Sequence, residues 1–377
     1  MLSVLVLCDL RNAAQQRVAI LDHVRFLDHA EPGRVAVTYV NMAEVTAVDP
    51  RWLEHDVIVL HTTLLCWRWY PQFAVLAKRL EWMQQFTGLV AAMPQDEYDH
   101  AHTLDEWLVS LRVQVIVTCF DDTHRALLYP RMHQRAFFVE ALTGYLHPAR
   151  VVSAREQRKP IGARGTDVVY RANHLPYWFG WLGNIKARLG LEGTSRLSST
   201  GLRLDISVRP EDTVLGDQWL DFLASSRSIL GSESGSSVLD KRGEVALHVR
   251  SLLADQPNLS FTDADALCGG ELTRYHFAAL GPRHLEAIMM GTVQVLVEGH
   301  YSGLFRPWEH YIPVKRDLSD LPAIADALRD DALVTRIAER ALADFVVSGE
   351  YGYDRLANHF LNVMELFGSV QASAQSA

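Results

Sequence analysis

The sequence predicts an α/β protein built from two doubly wound parallel domains that face each other across a cleft. Three observations carry that prediction. Short runs of Val, Ile and Leu alternate with segments of helical spacing through the first third of the chain. The same alternation restarts near Asp167. The 377 residues suit two domains at roughly 100–200 residues each. Near-continuous apolar strands, as opposed to alternating ones, mean a parallel sheet covered on both faces by helices.

Each element follows from its own pattern. Ser3–Cys8 is an apolar run with no basic stretch before it and no small-residue cleavage site after it, so it reads as a buried strand rather than a signal peptide. Ala14–Asp28 has helical spacing, and Val35–Val40 and Asp56–His61 are strands rich in β-branched residues. A helix over Phe73–Gln85, a strand over Thr87–Ala92, a helix over Leu104–Arg112 and a strand over Val113–Cys119 complete the first domain. Tyr145–Gly165 is polar, carries Pro148 and Pro160, and lacks periodicity; it reads as the connection. The second domain opens with a strand at Asp167–Tyr170 and a helix at Leu182–Leu189. Leu202–Ile206 (strand), Asp217–Ala224 (helix) and Ser228–Leu230 (strand) continue it. Helices follow at Val245–Leu253 and Arg283–Met290, with strands at Thr292–Val297 and Tyr311–Val314. Leu321–Leu366 is helical with a break at Ser348–Tyr353, and the Ala/Ser/Gln tail Ser369–Ala377 reads as disordered.

Composition limits the function classes. Net charge is −9 and the pI about 6.0, so the overall field does not attract nucleic acid. Four widely spaced cysteines without a CxxC argue against a disulfide framework or a zinc site and for a reducing, cytoplasmic compartment. No apolar run reaches about 18 residues, so no segment is expected to span a membrane. Arg11, Trp67, Arg68 and Trp69 are the candidates for a peripheral contact with a membrane surface.

Parallel sheets bind ligands beyond the carboxyl ends of their strands, so the candidate residues lie in the loops that follow them. In Gly281–Asp317, Pro282 suits a first helical turn, whose free N–H groups seat phosphate. Arg283 adds a bidentate donor there, and Glu286, one turn on, is placed to accept from ribose hydroxyls. Glu298, Gly299, His300, Tyr301 and Ser302 form the loop after the next strand. Glu233 lies mid-way in the Ser/Gly loop 231–237, read as flexible, where it contacts a sugar or serves as a nucleophile. Arg171 and Lys186 flank the first strand-to-helix crossing of the second domain and are read as neutralising a departing phosphate. In the first domain, Asp96 and Glu97 follow the fourth strand and are the candidates for a general base. Asp9, Asn12, His61, Thr62 and Trp67, at the ends of the first and third strands, are read as acceptor-binding. The one literal DxD, Asp263-Ala264-Asp265, sits in a polar loop, and no metal is expected.

The segments Pro-Arg-His-Leu-Glu-Ala (282–287) and Glu-His-Tyr-Ile-Pro-Val-Lys-Arg-Asp (309–317) resemble those of a bacterial family of GT-B-type glycosyltransferases. Leu230–Asp240 and Pro94–Tyr98 are similar to the same family. The resemblance implies two Rossmann-like domains, here 1–150 for the acceptor and 151–345 for the donor, with 346–377 crossing back to the first domain before the tail. It implies transfer of a sugar from a nucleotide-activated donor to a glycan, lipid-linked or small-molecule hydroxyl acceptor. The nucleotide-sugar is then a co-substrate, with no separate cofactor and no structural metal. One departure stands out: the better-known Glu-x7-Glu pattern would place a second Glu at position 294, where this chain has Gln294. A nucleotide-sugar epimerase or hydrolase, or a non-catalytic binding module, would suit the same scaffold. Retention through Glu233 and inversion through Asp96 or Glu97 are both open.

Overall fold

The computed structural model describes residues 1–11 and 17–375. The elements run β1 (Leu2–Cys8), α1 (Val18–Val24), β2 (Val35–Asn41), β3 (Val57–His61), α2 (Thr62–Leu65), α3 (Phe73–Lys78), β4 (Leu89–Met93), α4 (Ala101–Ser110), β5 (Val115–Thr118), α5 (Asp122–Leu128) and β6 (Phe137–Glu140). They continue with α6 (Pro148–Gln157), β7 (Thr166–Arg171), α7 (Gly180–Leu197), β8 (Leu204–Ser207), α8 (Asp217–Ala224), β9 (Ser226–Gly231), β10 (Ser234–Ser236), α9 (Glu244–Asp255), α10 (Phe261–Leu267) and β11 (Phe277–Ala279). The last are α11 (Pro282–Met289), β12 (Val293–Val297), β13 (Tyr311–Val314), α12 (Leu321–Arg329), α13 (Asp331–Leu342) and α14 (Tyr353–Gln375).

Two compact units result. The first takes Met1–Thr143, Leu239–Glu244 and Tyr353–Ala377; the second takes Gly144–Val238 and Val245–Gly352. The sheet of the first unit has the order β2-β1-β3-β4-β5-β6, with every pairing parallel. Val4–Leu7 and Val57–Leu60 are buried to a residue, as strands covered on both faces must be. Strand order reverses at β1, with β2 on one side and β3 on the other, the position at which doubly wound sheets bind ligands. Helix α14 closes this unit. Phe360 meets Phe26 edge-on at 5.4 Å, and Arg34 reaches both Asn362 and Glu365 at 2.8 Å.

The second unit repeats the plan with the order β13-β12-β9-β7-β8, again all parallel. Its order reverses at β7, which makes the carboxyl ends of β7 and β9 the expected ligand side. The core gathers Val168, Ile185, Leu230, Val295, Ile312 and Ile337. A small antiparallel pair, β10 with β11, stands beside this sheet.

Several elements differ from expectation. The Tyr145–Gly165 stretch holds α6, started by Pro148 and capped by His147, whose Nδ1 accepts from the Ala149 amide at 3.2 Å. Short helices with weak apolar periodicity are set by their caps, and α10 is another, capped by Ser260. The helix expected over Phe73–Gln85 stops after Lys78. There Arg79 turns to the carbonyls of Met42 and Val45 at 2.7 and 2.9 Å, and the chain resumes as a 3-10 turn at Glu81–Gln85. The expected flexible loop 231–237 contains β10. The C-terminal break is a π-helical turn, Ala343–Val347, followed by Gly349 at φ +73°. Helix α14 extends to Gln375 through most of the tail read as disordered, since Ala and Gln continue a helix readily. Among the described residues, no helix is long and apolar enough to cross a membrane.

Candidate functional site

In the second unit the residues expected at a donor site come together beyond β7 and β9. Arg283, in the first turn of α11, lies over the indole of Trp219 at 4.8 Å and donates to the Arg171 carbonyl at 2.9 Å. Trp219, on α8, donates through Nε1 to Glu286 at 2.8 Å. One buried indole therefore seats a guanidinium and a carboxylate one helical turn apart, and it fixes both. Trp219 was not foreseen. Its signal, aromatic residues at i and i+3 with Phe222, is that of a core stripe.

Glu233 organises the neighbouring loops. Its Oε1 accepts from two successive amides, His300 at 2.9 Å and Tyr301 at 2.6 Å. Its Oε2 is 2.9 Å from His276 Nε2. Burial pushes this carboxyl up, but His276 and the two amides outweigh that and hold it below its ordinary value. A carboxylate gripped as an anion on both oxygens is a latch between the loops after β9 and β12. This corrects its expected place on a flexible loop facing a sugar, and it suits a nucleophile poorly. Gly299 is required by the latch, because a Cβ there would lie 2.4 Å from Glu233 Oε2. The loop also holds two successive non-glycine residues in the left-handed region, Tyr301 at φ 47° and Ser302 at φ 56°.

The remaining donor candidates divide. Glu298 and His300 are exposed on this loop. Ser302 is half-buried, and its Oγ accepts from the Leu280 amide at 3.4 Å. Tyr301 is buried with its hydroxyl donating to the Val297 carbonyl at 2.5 Å, so only its backbone serves the loop. Lys186 sits half-buried on α7, close enough to His284 to help burial keep that imidazole neutral, at about 4. Arg171 is a correction. Its guanidinium stacks on Phe222 at 4.6 Å, pairs with Asp205 at 2.6 Å, and donates to the carbonyls of Tyr170, Asp205 and Asp212. It ties β7 to β8 and has few donors left for a phosphate. The start of α7 is likewise occupied, with Ser237 Oγ accepting from the Leu182 amide at 3.2 Å.

The first unit treats its candidates differently. Asp96 and Glu97, adjacent in sequence, separate completely. Asp96 is exposed at φ 48° and accepts from the Tyr98 hydroxyl at 2.5 Å. Glu97 is 1% exposed. It accepts from the Thr118 hydroxyl at 2.7 Å and from the Tyr129 hydroxyl, and burial pushes it up to about 7. Its carboxyl is held inside the core by these two hydroxyls, a correction to its expected place on an open strand-end loop. The loop is held by Arg68, whose guanidinium stacks on Trp69 and donates to the carbonyls of Leu65, Gln95, Asp96 and Asp99.

The acceptor candidates lie mostly inside. His61 is fully buried against His23, Nε2 to Nδ1 at 2.8 Å, and burial holds it well below its ordinary value. Trp67 is fully buried and donates to Asp9 at 2.6 Å, while Asp9 also receives Arg11 at 3.1 Å. Thr62 accepts from the Gln95 amide at 3.1 Å. These residues brace the strand ends from behind; Trp67 offers no ring face to a sugar. With Trp67 and Arg68 both buried, the expected membrane-facing patch does not form. Asn12 lies outside the described residues. A pocket does open at the carboxyl ends of β4, β5 and β6, lined by His23, Gln95, Thr118, Cys119 and Thr143 among others. Among the described residues, no group of three His, Cys, Asp or Glu side chains is placed to hold a metal ion.

No family model and no curated protein match the chain. Solved structures similar to it include sucrose-phosphate synthase from Thermosynechococcus elongatus, at 12% identity and a TM-score of 0.49 over 99% of this chain and 100% of that one. AviGT4, a glycosyltransferase involved in avilamycin A biosynthesis, is similar at 13% identity and a TM-score of 0.49 over 97% of each chain. Anabaena HepE, solved with UDP-glucose, is similar at 12% identity and a TM-score of 0.47 over 96% of this chain and 100% of that one.

Proposed function

We propose that the protein transfers a glycosyl group from a nucleotide-activated sugar to a hydroxyl acceptor. One observation carries this reading: the Arg283–Trp219–Glu286 arrangement beside the latched loop 298–302, at the strand-order reversal of the second unit. A guanidinium and a carboxylate fixed side by side suit a ligand that carries phosphate at one end and hydroxyls at the other. Arg283, with Lys186 contributing charge, stabilises the departing phosphate, a role worth about 3–4 kcal/mol for a well-placed donor. Glu286 accepts from ribose hydroxyls. On this reading the charge on the leaving group is met by side chains and the N-terminus of α11 without a metal, and no cofactor beyond the nucleotide-sugar is involved.

The first unit holds the acceptor, and Asp96 is the base that takes its proton. The exposed carboxylate of Asp96 and the buried one of Glu97 support that choice. A latched Glu233 leaves no nucleophile of its own for double displacement. All four cysteines are unpaired, which supports a reducing, cytoplasmic setting.

The test is a thermal-shift panel of UDP, GDP, CMP, CDP, dTDP and ADP, with and without magnesium. One nucleotide is expected to stand out without magnesium, since a ligand at about 100 times its Kd stabilises by about 2.7 kcal/mol. Arg283→Ala and Glu286→Gln should abolish that shift while melting close to wild type without ligand. A panel in which no nucleotide shifts the melt sinks the reading. Nucleotide binding without release of nucleotide in the presence of acceptors would make the chain a binding module instead.

A further inference from the structure

We propose that the pocket at the carboxyl ends of β4, β5 and β6 binds an uncharged hydroxyl or carbonyl oxygen, received by the Nε2–H of His23. The argument begins with proton placement. The Thr63 amide, which can only donate, lies 3.2 Å from His61 Nδ1. That nitrogen must therefore be unprotonated, and the ring's proton sits on Nε2. His61 Nε2 is 2.8 Å from His23 Nδ1, so His23 must accept there. The proton of His23 is then on its own Nε2. The Thr63 hydroxyl, 3.0 Å from His61 Nδ1, is held in turn by the Asp9 amide at 3.1 Å. A backbone amide at the start of α2 thus sets the tautomer of a residue on α1, two hydrogen bonds away.

Burial supports the neutral state of both rings, pushing His23 down to about 4 and holding His61 well below its ordinary value. Phe26 and Tyr353, with ring centroids 6.4 and 6.3 Å from that of His23, pack around it. His23 lines the pocket with the apolar Met93, Val117 and Leu142. Among the described residues no lysine or arginine lines it, so an anion entering there would lose its hydration without gaining a counter-charge. A neutral sugar or polyol loses less and gains a fixed donor. The inference rests on the transferase reading for one point only, that the occupant is the acceptor.

The full-length chain, labelled with 15N-histidine, tests it through long-range proton–nitrogen spectra at neutral pH. The signals of His23 and His61 are identified from the spectrum of His23→Gln or, should that variant not fold, from the coupling across their shared N–H···N bond. Both rings are expected neutral with the proton on Nε2. Methyl β-D-glucopyranoside at tens of millimolar should move the His23 signal, and glucuronate should not. An Nδ1–H or doubly protonated His23, a response to glucuronate instead of the neutral glycoside, or a response to neither overturns the proposal. The nucleotide panel fails independently. A His23 response without any nucleotide shift would sink the transferase reading and leave the pocket standing, and the reverse would remove the pocket and leave the donor site.

Discussion

The two units share one architecture and use their strand ends in opposite ways. In the first, polar residues at the carboxyl ends pair with one another and sink: His61 with His23, Trp67 with Asp9, Glu97 with Thr118 and Tyr129. In the second, Arg283 and Glu286 stay half-buried around Trp219, and Glu298 and His300 stay exposed. Glu233 does sink, and it does so as an anion held by backbone amides. The carboxyl end of a parallel sheet is the ligand side, but that rule places loops and does not say which way each side chain turns. Residues that turn inward to a partner become bracing, and those fixed on the Trp219 platform stay half-buried.

The sharpest way to break this contrast is Trp67→Ala. A fully buried indole that also bonds Asp9 should cost about 3–5 kcal/mol, read by urea titration. A loss below about 1 kcal/mol would restore Trp67 as a surface ring available to a sugar. Glu97→Gln comes next. With its folded value raised to about 7 from an ordinary 4.5, the native state holds a proton that the unfolded chain releases. Its contribution is therefore most favourable below pH 4.5 and is lost as pH rises through 7. The amide has no such dependence. Its stability relative to wild type should grow across that window by roughly 3 kcal/mol. A gap that stays constant with pH would mean that Glu97 is solvated and back in contention as the base.

Gly299→Ala probes the second unit in the same way. The new methyl would meet Glu233 Oε2 at 2.4 Å, and Glu233 is pinned on both oxygens. The latch should open, costing about 1–3 kcal/mol and the nucleotide-dependent shift in melting. Gly165→Ala, with nothing within 4 Å of the added methyl, serves as the control and should stay within about 0.5 kcal/mol of wild type. Equal behaviour of the two variants would mean that the loop after β12 is not held by Glu233.

The fold was legible because its strands are buried on both faces and therefore read as apolar runs, as at Val57–His61 and Val293–Val297. Missed elements such as α6 and α10 carry little periodicity and are set by caps at His147 and Ser260. At the site, Arg283 and Glu286 were legible because Pro282 marks the start of a helix and fixes their spacing. Trp219, which joins them, was not, because contact between α8 and α11 is a tertiary fact. Burial at His61, Trp67 and Glu97 was hidden for the same reason. Each depends on a partner 21 or more residues away in sequence.

The smallest expected effect on stability belongs to Asp96→Asn, and it sharpens the comparison most finely, between neighbours. Asp96 is exposed in the left-handed region at φ 48°, where Asn is among the few residues tolerated. The Tyr98 hydroxyl can still donate to Oδ1 of the amide. Stability should therefore change by no more than about 0.5 kcal/mol. An amide cannot take a proton from an acceptor hydroxyl, so transfer should fall by about 10²–10⁴-fold, while nucleotide binding at the second unit is unchanged. Glu97→Gln should show the converse, a changed pH dependence of stability with transfer retained. If Asp96→Asn transfers at the wild-type rate and Glu97→Gln does not, then burial has misled the assignment. The loop that Arg68 holds would then have to move far enough to bring Glu97 out.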